Sequence, residues 1–250
     1  MKKIIVGAVI ALILFIAILL MLAPARVATP WITDAVPELY LTNVSGSIWS
    51  SHIEQAKYRN LTINNIELQP SAIALLWGAL ETSINIQDPK ISLEAEAVLS
   101  RNNYSVKNAN FDVDTAYVAS LIKVPIDGLS GRVNGQVSIL DYSKKSLKQL
   151  SGEGQWNNAV ILYPNNNLDI GNVSFKLSKS GQLDNAARID IMDNQGVLDL
   201  KGFIEVGLNK QFRMNIHATN QLPAHLKNWL TRWGRQDGNR IYLEWQGRLP

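Results

Sequence analysis

The chain has 250 residues, of which 46% are hydrophobic and 18% charged, enough apolar material to bury a core and too much for general disorder. It contains no cysteine, which excludes a disulfide framework, thiolate catalysis and iron-sulfur clusters. Its 24 basic and 21 acidic residues leave a net charge of +3, too weak a field to hold nucleic acid by its phosphates.

Residues 4–23 carry no charge, proline or strongly polar side chain, and as a helix they would extend about 30 Å, the hydrocarbon thickness of a bilayer. The pattern predicts a transmembrane helix with its limits at Ile4 and Ala23. Lys2 and Lys3 precede it, so the positive-inside bias predicts residues 1–3 in the cytoplasm, one pass through the inner membrane, and the rest of the chain in the periplasm. A cleaved signal peptide is the alternative, because Ala23-Pro24-Ala25 offers small residues to a signal peptidase. Pro24 and Pro30 interrupt the helix, giving a connector over 24–35 and a β-rich periplasmic domain over 36–250.

The stretch from Pro70 to Gly78 predicts a short helix started by the proline and stopped by the glycine, with Ile73, Leu76 and Trp77 on one face. Beyond it, Ile91, Leu93, Ala95, Ala97 and Leu99 alternate with Ser92, Glu94 and Glu96, the period of a strand solvated on one side. Asp114 caps a second helix running to about Ile122, before Pro125. Strands follow near 131–142, 148–162, 168–179, 186–193, 197–206 and 210–219, after those near 92–100 and 104–113. Turn residues join them at Asn102-Asn103, Asn165 to Asn167, Ser180-Gly181, Asn194 to Gly196 and Leu208-Asn209.

A third helix places Leu222, Leu226, Trp229, Leu230 and Trp233 at i, i+4, i+7, i+8 and i+11, with Lys227, Arg232 and Arg235 elsewhere on the cylinder. Ile241, Leu243 and Trp245 then alternate in a last strand. Short connections join antiparallel neighbours. The expected fold class is therefore mainly β, a transmembrane helix followed by an elongated, twisted antiparallel meander able to curl into a trough, with about three short helices.

Chemistry is sparse. His52, His217 and His225 are the three histidines, and their spacing suits no zinc site on one element. No nucleophile elbow, Walker loop, dinucleotide fingerprint or EF-hand loop is present. The carboxylate pairs Glu94/Glu96 and Asp190/Asp193 read as solvated strand faces. No catalytic residue, metal ligand or cofactor is expected, and the chain does not read as an enzyme. Trp229 and Trp233 are the candidate contacts for a partner or a membrane, against the plainer reading that they close one end of the sheet's core.

One ordered set of segments is more specific than its parts. Val44-Ser45-Gly46-Ser47-Ile48-Trp49 is followed by Ile66-Glu67-Leu68-Gln69-Pro70, by Leu75-Leu76-Trp77-Gly78, by Leu222-Pro223 with its amphipathic helix, and by a last strand ending Trp245-Gln246-Gly247-Arg248-Leu249. This order resembles the type II secretion system protein N family. The resemblance implies an inner-membrane-anchored, periplasm-facing accessory component in the export of folded proteins across the outer membrane. Its implied partners are other components of that machine, the inner-membrane platform or the outer-membrane secretin, and it carries no catalytic residues. The alternative is a lipid-handling or envelope-assembly protein whose apolar sheet face forms a trough for acyl chains.

Overall fold

The computed structural model describes Phe15, Leu19 and residues 21–121, 127–163 and 166–248. Two compact units divide the chain, Met1–Pro89 and Lys90–Pro250.

The first unit opens with a 3-10 turn over Ala25–Val27 and helix α1, Thr29–Ala35, which falls inside the predicted connector. Four antiparallel strands follow in sequence order: β1 Leu39–Ser47, β2 Ser50–Tyr58, β3 Leu61–Pro70 and β4 Leu80–Gln87. Gly46 has φ +81° at the β1–β2 turn, and a Cβ there would lie 2.3 Å from the Ser50 carbonyl oxygen, so the turn closes only around glycine. Helix α2, Ala72–Leu76, begins at Ser71, whose Oγ accepts from the Ala74 N–H at 3.4 Å. Pro70 is not the first helical residue as predicted. It is the last residue of β3, paired with Thr82, because Ser71 takes the capping role. Ile53, Ile66 and Ile86 are buried, and Asp88 accepts from the backbone N–H and the side-chain amide of Asn64 at 3.0 and 2.6 Å.

The structure corrects the expected membrane span. Among the described residues no helix is long and apolar enough to cross a membrane. The longest described helix has 8 residues, or about 12 Å, against the roughly 30 Å a bilayer requires. Of the predicted span, residues 4–14, 16–18 and 20 lie outside the described residues, Ile4 among them. Its other limit, Ala23, is tied into the first unit: its carbonyl accepts from the Ile48 N–H at 3.0 Å, Pro24 bridges Ser47, and Ala25 is buried. The expected single-pass topology, inner-membrane location and membrane contact rested on that span, which no described helix supplies.

The second unit is an antiparallel meander. Its strands are β5 Ile91–Ser100, β6 Asn103–Asp114, β7 Gly128–Ser143, β8 Ser146–Tyr163, β9 Asn166–Lys179, β10 Ala186–Gln195, β11 Lys201–Gly207 and β12 Gln211–Thr219. The hairpin of β13, Arg235–Asp237, with β14, Arg240–Arg248, completes it. Neighbours follow sequence order up to β12, which pairs with β14, and β13 lies outside β14. The β7–β8 turn is made of two lysines, Lys144 and Lys145, at φ 50° and 62°, a left-handed pair that no turn residue announces. Helix α3, Thr115–Leu121, is capped as predicted, Asp114 Oδ1 accepting from the Ala116 N–H at 2.8 Å, while Ile122 and Pro125 lie outside the described residues.

Register sorts the faces of this sheet. Ala109, Val137, Gly152, Leu177, Ile189, Ile204, Met214 and Trp245 are successive cross-strand partners and form one apolar row. Displaced by one residue, Asn110, Gln136, Glu153, Lys176, Asp190, Phe203, Asn215 and Glu244 form a polar row on the other face. Phe203 is the exception, and the Arg188 guanidinium roofs it at 3.8 Å from the ring centroid. Most of the apolar row is half-buried; the covered core lies at one end. There helix α4, Ala224–Thr231, inserts Leu230 among Ala159, Leu168, Ile170, Val173, Leu198, Ala218 and Ile241.

Candidate interaction surface

Helix α4 starts without a side-chain cap, directly after Pro223, and its first turn closes through Lys227 N–H to the Pro223 carbonyl at 3.0 Å. Leu230 is 2% exposed, a burial worth about 1.5–3 kcal/mol, and Leu222, Leu226 and Trp229 pack around it. The helix ends at Thr231, whose Oγ1 donates back to the Lys227 carbonyl at 3.0 Å. Gly234 N–H then closes on the Leu230 carbonyl at 2.9 Å, and a Cβ at Gly234 would lie 2.5 Å from the Tyr242 oxygen.

That early stop separates the two candidate tryptophans. Trp229 packs on the core, whereas Trp233, past the helix end, is 59% exposed. Its ring meets Trp245 edge-on, with centroids 6.2 Å apart and planes at 84°. In the first unit the short helix α2 leaves Ile73 72% and the following Trp77 85% exposed. Sequence spacing sets Ile73 and Trp77 on one helical face, and that face stands in solvent at both residues.

Polar networks hold these elements and carry no reaction chemistry. Arg240 donates from Nε to His217 Nδ1 at 2.8 Å and from Nη2 to the carbonyls of Asp199 and His217 at 2.6 and 3.1 Å, while Nη1 pairs with the Asp199 carboxylate. Burial holds the His217 imidazole below its ordinary pKa, the cations Arg240 and Lys201 add to this, and Asp199 opposes it. With Nδ1 accepting, the neutral ring carries its proton on Nε2.

Glu205 is fully buried on β11, accepting at Oε1 from Ser180 Oγ at 2.8 Å and from Arg188 Nη1 at 3.1 Å. Arg188 is shared with Asp190, to which Nε donates at 2.9 and 3.0 Å. Asp190 first, and then Glu205, hold the guanidinium above its ordinary pKa against the effect of burial. Asp190, expected on a solvated strand face, is thus a half-buried ion-pair partner of Arg188. A bulge separates Glu94 from Glu96 on β5. Among the described residues no group of three or more histidines, cysteines or acids could hold a metal ion. His52 and His217 belong to different units.

The sequence profile of the family described as "Type II secretion system (T2SS), protein N" matches residues 37–243. The chain belongs to that family. A similar relative, "Type II secretion system protein N" from Aeromonas hydrophila, is 22% identical over 256 residues and covers 100% of both chains. No solved structure matches. As a protein N family member the chain is a non-catalytic component, in keeping with a fold whose buried polar groups serve as struts.

Proposed function

We propose that this protein N family member is an accessory component of the type II secretion system that works through contacts with other proteins of the machine. Family membership across residues 37–243 supplies the machine, and one structural observation supports the mode of action. Large apolar side chains stand in solvent instead of in the core: Trp77 at 85% and Ile73 at 72% in the first unit, and Trp233 at 59% in the second. A tryptophan held outside a core by a closed helix end or a glycine stop contributes little to folding. It offers a rigid apolar anchor to another protein.

The test is export in the native host. Deleting the gene should make exported enzymes accumulate inside the cell, and the wild-type gene should restore release. Complementation by the Trp77→Ala and Trp233→Ala chains should restore it incompletely at unchanged protein levels. A photoreactive residue at position 77 should crosslink to a component of the machine. Normal export after deletion would refute the role; full complementation by both variants would refute these residues as its contacts.

A further inference from the structure

We propose that the chain self-associates through the outer edge of β14, two copies pairing antiparallel about Gln246. On its inner side β14 is fully laddered to β12, from Arg240 opposite Thr219 to Arg248 opposite Gln211. On its outer side β13 covers only Arg240, Ile241 and Tyr242, and no strand among the described residues pairs with β14 beyond them.

The direction of the free groups follows from the ladder. Asn239 turns its carbonyl toward Asn220, accepting at 3.0 Å, so alternation points the backbone groups of Arg240 and Tyr242 at β13. Those of Glu244, Gln246 and Arg248 then point outward. An exposed edge is commonly blunted by a proline, a lysine or a bulge. Residues 243–248 contain no proline or lysine, and their register against β12 is unbroken.

This edge is complementary to itself. Centred on Gln246, two antiparallel copies place Gln246 opposite Gln246 and Glu244 opposite Arg248 twice, using all three outward residues. A register moved toward the N-terminus would require Tyr242, which already pairs with Arg235. Neither Glu244 nor Arg248 forms an ion pair among the described residues; Glu244 accepts from Asn215 Nδ2 at 3.0 Å and Arg248 donates to the Asn209 carbonyl at 3.3 Å.

On the opposite face the same register sets Trp245, 46% exposed, against Gly247 of the second copy. Gly247 has no side chain to clash with that indole, and the Phe212 ring, 3.2 Å from where its Cβ would lie, gives the indole of the second copy an aromatic wall to pack against. The polar and apolar rows of the sheet both continue across the two-fold axis. About five residues per copy make an interface below the roughly 1,200 Å² of stable complexes, so the association depends on concentration.

Sedimentation velocity of the full chain from about 1 to about 200 μM should show monomer passing to dimer. Glu244→Arg and Arg248→Glu should each weaken the dimer at least about tenfold, and the double swap should restore it to within about threefold. Gln246→Pro removes an N–H that the monomer does not use, so it should abolish the dimer while leaving circular dichroism and the thermal midpoint unchanged. A chain monomeric at every concentration, a dimer indifferent to Gln246→Pro, or a charge swap without rescue would each overturn the proposal.

Discussion

The α2 and α4 helices were drawn from the same kind of pattern and meet opposite fates. In the second unit, α4 finds small and branched partners on the sheet beneath it: Ala159 and Ala218 leave room, and Leu168, Ile170, Val173 and Ile241 surround Leu230. In the first, the five residues of α2 end at Leu76, and Gly78, φ 75°, turns the chain away before a second apolar turn can form, so Ile73 and Trp77 stay in solvent. An amphipathic stripe states a demand for burial, and only a facing surface of matching shape meets it.

The sharpest way to break this contrast is a pair of truncations. Leu230→Ala should cost about 2–5 kcal/mol in urea unfolding, because the cavity opens in the covered core, whereas Ile73→Ala should stay within about 0.5 kcal/mol. Equal costs would mean that Ile73 is as buried as Leu230.

Next in size is the buried carboxylate of the second unit. Arg188→Ala leaves the fully buried Glu205 with Ser180 as its hydrogen-bond donor and should cost about 3 kcal/mol. Arg188→Ala together with Glu205→Leu should recover much of that loss.

A smaller effect is expected from acid. Because His217 is held below the ordinary histidine pKa of 6.5, the unfolded chain takes up this proton at higher pH than the folded chain. Its contribution is complete above that ordinary value and is lost as pH falls toward the folded one, when a protonated ring faces Arg240. The urea midpoint should fall over that window in the wild type and less steeply in His217→Asn, whose amide oxygen can still accept from Arg240. Identical slopes would assign the acid sensitivity to the carboxylates.

Trp233→Ala should be the mildest change, below about 1 kcal/mol, since it removes an exposed edge-on aromatic contact. A stability cost as large as that of Leu230→Ala would put Trp233 in the core and remove it as a contact residue.

Much of the second unit was legible in residue order. Alternation such as Ile91, Leu93, Ala95, Ala97 and Leu99 located its strands, and Asp114 announced its helix cap. The Lys144-Lys145 turn was not legible, because lysine has no left-handed preference and the geometry is imposed by the strands it joins. Glu205 was equally hidden: on β11 it reads as a solvated side chain, and its burial depends on Ser180 and Arg188, contributed from elsewhere in the chain. The expected span from Ile4 to Ala23 has no counterpart among the described helices. Apolar length alone predicted a membrane crossing, yet the chain at Ala23 to Ala25 is bonded to the β1–β2 hairpin.

Residue order by itself determined the antiparallel strand series of the second unit, the absence of cysteine chemistry and the family, since these depend on periodicity, composition and the order of short segments. Tertiary structure alone decided which apolar residues are core and which are surface, which acids are paired, and which strand edge is free. Those properties depend on what lies opposite a side chain, and sequence spacing specifies only the face from which it projects.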